Sequence, residues 1–320
     1  MNVGVSRVYL VAQRFSRLAA VSAILIFGAL HLFHHEPSIS VQIGIATFAL
    51  MLGIPHGAID HLITLPSHPR SRFLLFILIY VVIAVFAGIA IATWNLLGFQ
   101  CVLVMSALHF GFGDAAYANE WRGAKAEKPR SWILEASYAI PAGFLPVILP
   151  LTNNRSLSAL NRINRTLGGW AGTHTQFIRE TVLVITAISI FVLITKWAFP
   201  IVIDLVLLLV LSLVTPPLIA FAVYFGCWHA VRHTARLVPK LPASLKAASE
   251  NRILAAYKAA IFPGLYAVAG TLALGLGLMI VDPHNFGSGL LWSSLVIVWA
   301  LTVPHMVTTA RFDWRAIRSK

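Results

Sequence analysis

Seven side chains able to do chemistry sit where a lipid-soluble chain would not ordinarily place them. Gly53-Ile54-Pro55-His56-Gly57-Ala58-Ile59-Asp60-His61 closes an apolar run that begins near Val41. Ser106-Ala107-Leu108-His109-Phe110-Gly111-Phe112-Gly113-Asp114 lies inside a second run. Tyr224-Phe225-Gly226-Cys227-Trp228-His229-Ala230-Val231-Arg232-His233 ends a third, and Pro304-His305 repeats the Pro-His pair of the first. An ionisable group within a bilayer is costly and marks a functional site by default. His229 and His233, four apart, share one helix face and can bind one metal. The competing reading is a His and Arg group near a helix end, where cations complement the dipole. Three or four imidazoles suit iron, copper, zinc or nickel. A metal-bound histidine donates its second ring proton to a carboxylate or carbonyl, and Asp60, one turn below His56, and Asp114, near His109, are spaced for that work.

The residues around these groups have readings of their own. Pro55 leaves the carbonyl of residue 51 without its usual helix bond, and Gly57 removes bulk beside His56. Gly111 and Gly113 allow a helix or a ligand to approach closely. His61 reads as a helix-end residue, and His31, His34 and His35 as interfacial groups at the outer end of the first span. His68, His174 and His284 fall in loops, and Asp204 starts an apolar segment.

Composition states what must position these groups. The chain has 320 residues, of which 58% are hydrophobic and 11% charged, with a mean hydropathy of +0.82. Soluble domains carry about 25% charged residues, so an all-α, polytopic, multi-pass membrane bundle is expected. The net charge of +13 marks cytoplasmic loops rather than a nucleic-acid partner. Cys101 and Cys227 both lie in apolar runs and form neither a disulfide framework nor a zinc site. No cleavable signal segment is expected, because the first run leads into His34-His35-Glu36-Pro37.

Apolar runs of about 20 residues occur at 18–34, 41–64, 72–94, 99–118, 131–151, 178–198, 200–215, 217–237, 259–281 and 288–309. That is about ten spans, or eight plus a re-entrant pair if Pro216-Pro217 breaks 200–237 into a tight corner. With ten, the Arg and Lys clusters fall on one side, which places both termini in the cytoplasm. Arg155, Arg162 and Arg165, in a 152–177 connection with a short interfacial helix near 156–167, fall on the other side. The topology puts His56, His61, His109, His229, His233 and His305 at roughly one depth, with Asp60 and Asp114. A cluster in an apolar bundle suits a greasy substrate reached from lipid, and ferrous iron with neutral imidazole ligands and open positions can bind dioxygen and act on alkenes. The residues by themselves give a membrane metalloenzyme on a lipophilic substrate and leave the reaction open.

The four motifs, in this order and with the double proline between the second and third, resemble the Brp/Blh family of bacterial and archaeal β-carotene 15,15′-dioxygenases. The likeness spans about 41–310, leaving 1–40 as an added N-terminal span on a single integral membrane domain, 1–320. The resemblance implies an inner (plasma) membrane enzyme that uses Fe(2+) and O2 to cleave the central double bond of β-carotene into two all-trans-retinal. It carries the family's iron ligands onto His56, His109, His229 and His233, and leaves supporting roles to Asp60, Asp114 and His305. Phe110, Phe112, Tyr224, Phe225 and Trp228 are then walls of a polyene tunnel. A functional link to a retinal-binding opsin follows from the product.

Two other classes fit parts of the pattern. His31-Leu32-Phe33-His34-His35 is literally an HxxHH box and His229–His233 an HxxxH box, as in membrane di-iron hydroxylases and desaturases, although a third box is missing and the two fall at opposite faces. A proton-coupled transporter would use His56, Asp60, His109 and Asp114 as relay groups, and a retinal-delivery protein would bind the product without making it.

Overall fold

A computed structural model describes residues 3–64, 69–281 and 290–318; His68 and His284 lie outside them. The described residues are helical almost throughout, with no strand among them. Local sequence explains where several helices begin and end. Ser38 caps α2 (Ile39–Gly57), its hydroxyl accepting the Val41 N–H at 3.4 Å, which satisfies one of the unpaired donors of a first helical turn. Asn153 caps α7 (Asn154–Ile163) through the Arg155 N–H at 3.0 Å, close to the expected interfacial helix. Pro216 and Pro217 lack N–H donors. α9 (Phe199–Val214) therefore stops before them and α10 (Pro217–Ala222) starts on a proline, giving the expected corner. α10 runs into one π-helical turn, Val223–His229, and then into α11 (Ala230–Leu237).

Every expected span meets helix. Seven helical segments among the described residues are long and apolar enough to cross a membrane: Val3–Leu32, Ile39–Leu62, Arg70–Thr93, Asn95–Ala124, Gly172–Thr195, Ile253–Leu274 and Trp292–Arg318. α9 is a shorter apolar helix, α6 (Trp132–Val147) has only 16 residues with Pro141 and Pro146 inside it, and 217–237 is divided by the π turn. Outward faces are apolar: α4 (Arg70–Thr93) leaves Leu74, Leu78, Phe86 and Ile89 exposed. The interior holds the polar groups, as a bundle solvated by lipid requires.

α1 (Val3–Leu32) begins well before the expected residue 18. Its early polar residues have the composition of a loop ahead of the membrane, but they are bound in the bundle. Gln13 and Ser16 are buried, Ser16 Oγ accepts Arg232 Nε at 3.0 Å, and Arg17 Nε donates to Asp204 at 2.7 Å. α1 packs on α9, the π turn and α11, so this N-terminal helix is an integral wall of the bundle. At its far end Arg155 of α7 donates to Glu36 at 2.9 Å, and Glu36 also pairs with His31 at 2.6 Å. That pairing offsets one of the outer arginines that the charge pattern leaves on the wrong side.

Two further helices complete the frame of the site. α5 (Asn95–Ala124) crosses α6 so closely that a Cβ on Gly111 would strike the Ala139 carbonyl, which is the close helix approach that small residues permit. α15 (Leu290–Arg318) lies against both α4 and α5.

Candidate metal centre

Five imidazoles meet where α2, α5, the π turn, α11 and α15 converge. His56 closes α2 on the turn after Pro55, His109 lies in α5, His229 ends the π turn, His233 is one turn into α11, and His305 follows Pro304 in α15. All are buried, with 1–7% of their surface exposed. Ring centroids are 4.9 Å apart for His56–His233, 5.3 Å for His56–His229, 5.1 Å for His109–His229 and 5.8 Å for His229–His233. His305 lies 5.1 Å from His109, 5.6 Å from His56 and 5.9 Å from His233.

These spacings suit one ion. A metal–imidazole bond of about 2.0–2.1 Å puts each ring centroid roughly 3.2 Å from the ion, hence about 4.5 Å from its neighbour at a ligand angle near 90° and about 6 Å near 135°. Five buried ring nitrogens have no hydrogen-bond partner: His56 Nδ1, His229 Nε2, both nitrogens of His233, and His305 Nε2. Buried polar atoms are nearly always satisfied, and such exceptions point to an absent ion or water. Among the described residues, as their side chains stand, no group of three or more His, Cys, Asp or Glu is arranged to hold a metal ion. Ring position carries more weight than ring rotation here. Helix packing fixes the first, whereas the terminal torsion of a histidine is soft. The donor set therefore fits a metal such as iron.

The carboxylates pair in ways the linear spacing does not reveal. Asp60 opens α3 (Asp60–Thr64) and binds His305 rather than His56: His305 Nδ1 lies 2.9 and 3.1 Å from its two oxygens, and Thr308 Oγ1 donates to it at 2.9 Å. Gly57 gives His305 its room, since a Cβ there would lie 3.1 Å from His305 Nδ1. Asp114 accepts from Tyr224 Oη at 3.1 Å and Trp228 Nε1 at 3.0 Å. Tyr224 and Trp228, expected as tunnel walls, are fully buried against that carboxylate. Gly113 admits the His229 ring, whose Cε1 would be 3.3 Å from an added Cβ. His109 Nδ1 sits 3.3 Å from Thr309 Oγ1.

Charges buried beside the histidines clamp α11. Arg232 is 1% exposed, donates to Asp204 at 2.8 Å and lies 3.7 Å from the Trp228 ring centroid. Asp204 is thus the ionic partner of Arg17 and Arg232 rather than a helix-start residue. Arg236 is 0% exposed and donates to Glu120 at 2.9 Å and Asp313 at 2.6 Å. His229 and His233 therefore belong to a buried, ion-paired segment, not to an interfacial helix end. Arg232 and Arg236 continue their helical stripe, and that spacing is the available signal in the sequence. The π turn has no comparable signature. π turns recur at functional sites, and this one ends on His229.

A cavity of about 190 Å³ opens on the cluster, where His56, Asp60, His109 and His305 face Phe110 and Phe225. Leu301, Phe76 and Tyr80 carry its apolar wall outward, and His61 also lines it, its ring 5.6 Å from Phe73. A second, more open groove of about 680 Å³ also touches His109 and runs along Leu108, Phe112, Val307 and Trp314. Of the expected walls, Phe110 and Phe225 line the first and Phe112 the second. The HxxHH segment is remote. His31, His34 and His35 are exposed, and His31 lies 15 residues beyond Ser16, the α1 contact of Arg232. That separation is about 22 Å along the helix.

A family model described as beta-carotene 15,15'-dioxygenase matches residues 47–313. A protein of Halobacterium salinarum named "Probable beta-carotene 15,15'-dioxygenase Blh" is similar to this chain, with 27% identity over 300 residues covering 83% of this chain and 82% of the relative. No solved structure matches.

Proposed function

Because this chain belongs to the β-carotene 15,15′-dioxygenase family, we propose that it cleaves the central 15,15′ double bond of β-carotene with O2 to give two all-trans-retinal. His56, His109, His229 and His233 would hold one Fe(2+), in a cell-membrane bundle of about ten spans with both termini cytoplasmic. The observation that carries this reading is the meeting of buried imidazoles with unpartnered nitrogens at the floor of an apolar cavity. Ferrous iron, when bound, supplies the activation of O2.

The chain's own residues do the rest. Phe110 and Phe225 face the polyene beside the histidines, and the groove past Phe112 takes its other half. His109 lines both spaces, so a polyene occupying them would pass beside it. Trp228, Tyr224 and Asp114 hold the π turn, and Arg232 and Arg236 hold α11, so that His229 and His233 keep their places. Retinal released from the groove would reach lipid and a retinal-binding opsin.

Expression in a β-carotene-producing bacterium tests this. Loss of orange colour with retinal on chromatography is expected. His109→Ala and His229→Ala should abolish cleavage and iron retention while the chain stays in the membrane. Full activity in either variant refutes the ligand set, and about two irons per chain would refute a mononuclear site in favour of a di-iron one.

A further inference from the structure

The Asp60–His305 pair is not used by the four-histidine set, yet it faces the same point. Asp60, when ionised, can only accept hydrogen bonds, so the close His305 nitrogen must carry its proton on Nδ1. In the neutral ring, the form that can bind a metal, Nε2 is then the nitrogen with the lone pair. His305 Nε2 is buried and has no partner, and the ring is within 5.1–5.9 Å of His109, His56 and His233, inside the range for imidazoles around one ion. Asp60 is itself fixed, because Thr308, three residues after His305 on α15, donates to it at 2.9 Å. Carboxylate, imidazole and metal in series is the arrangement that sets a ligand's tautomer and raises its basicity.

We propose that His305 is a fifth imidazole donor to the metal held by His56, His109, His229 and His233, with Asp60 as the residue that orients it. The inference rests on the metal reading given above and adds one donor to it. Asp60 acts through His305 and is a positioning residue.

Metal-stripped full-length protein in detergent micelles, titrated with Co(2+), tests it through the visible cobalt band and the Kd, with no turnover needed. His305→Ala should raise the Kd more than 100-fold and change the band. Asp60→Ala should raise it about 10–100-fold, the usual cost of losing such a partner. Asp60→Asn keeps an acceptor oxygen and should lie near the low end. Thermal unfolding without metal should be unchanged in Asp60→Asn, which separates ligand orientation from folding. If His229→Ala loses Co(2+) but His305→Ala and Asp60→Asn keep the wild-type Kd and band, the fifth donor is refuted and the four-histidine site stands. If the wild-type protein itself shows no cobalt band, both readings fall.

Discussion

Asp204→Ala isolates the charge pairing that holds the helix of His229 and His233. Asp204 is 2% exposed and binds two guanidiniums, Arg17 at 2.7 Å and Arg232 at 2.8 Å. The two losses are unequal. Arg17 has a side chain 24% exposed and keeps the Pro200 carbonyl at 2.5 Å, so its share is that of a partly solvated pair, at most about 1 kcal/mol. Arg232 is fully buried and would keep Ser16, a 3.4 Å contact with Tyr138 and the faces of Trp228 and Tyr117, none of them an anion. An uncompensated buried charge costs about 3–5 kcal/mol, so the loss should be dominated by Arg232 and appear as a fall of roughly 5–9 °C in unfolding midpoint. Replacing both partners removes the stranded charge. Asp204→Ala/Arg232→Met should therefore recover all but about 1 kcal/mol, since an apolar substitute for a buried pair is often neutral. Unfolding in detergent followed by tryptophan fluorescence measures both, with Co(2+) retention as the functional readout. A single variant as stable as wild type, or a double variant no better than the single, would refute the account of Arg232 as a charge that depends on Asp204.

Three other substitutions probe separate parts of the site. Gly113→Val should push the His229 ring off its place, because even a Cβ would lie 3.3 Å from Cε1; at least a 10-fold loss of iron content is expected by metal analysis, with the chain still inserted. Phe225→Ala should widen the cavity beside the histidines and loosen polyene register, seen on chromatography as apocarotenals of unequal length alongside retinal. His34→Ala and His35→Ala, both at exposed positions, should leave iron content and retinal yield within about twofold of wild type, whereas loss of iron would revive the di-iron reading.

Much of the candidate site is legible in the amino-acid sequence. His56, His109, His229 and His233 stand out because a lipid-soluble segment has no other use for them, and the double proline marks its corner by backbone chemistry alone. The length of α1 is not legible there. Arg7, Arg14 and Arg17 have the character of a loop, and distant partners, Asp204 for Arg17 at 187 residues' separation and Asn251 for Arg7, let a charged turn continue into the bundle. The π turn is also hidden, since Val223–His229 has the apolar and aromatic character of the helix around it.

The sequence by itself determined the class of molecule, the helical segments and the residues that had to be satisfied in the interior. Hydropathy and proline chemistry act locally, within one turn or one span. Tertiary structure alone decided who satisfies whom. Asp60 stands one turn from His56 in the chain but bonds to His305, 245 residues on, because the break between α2 and α3 and the absence of a side chain on Gly57 let α15 bring its own histidine closer. Such pairing depends on which helix faces cross, and no periodicity within a single segment encodes that.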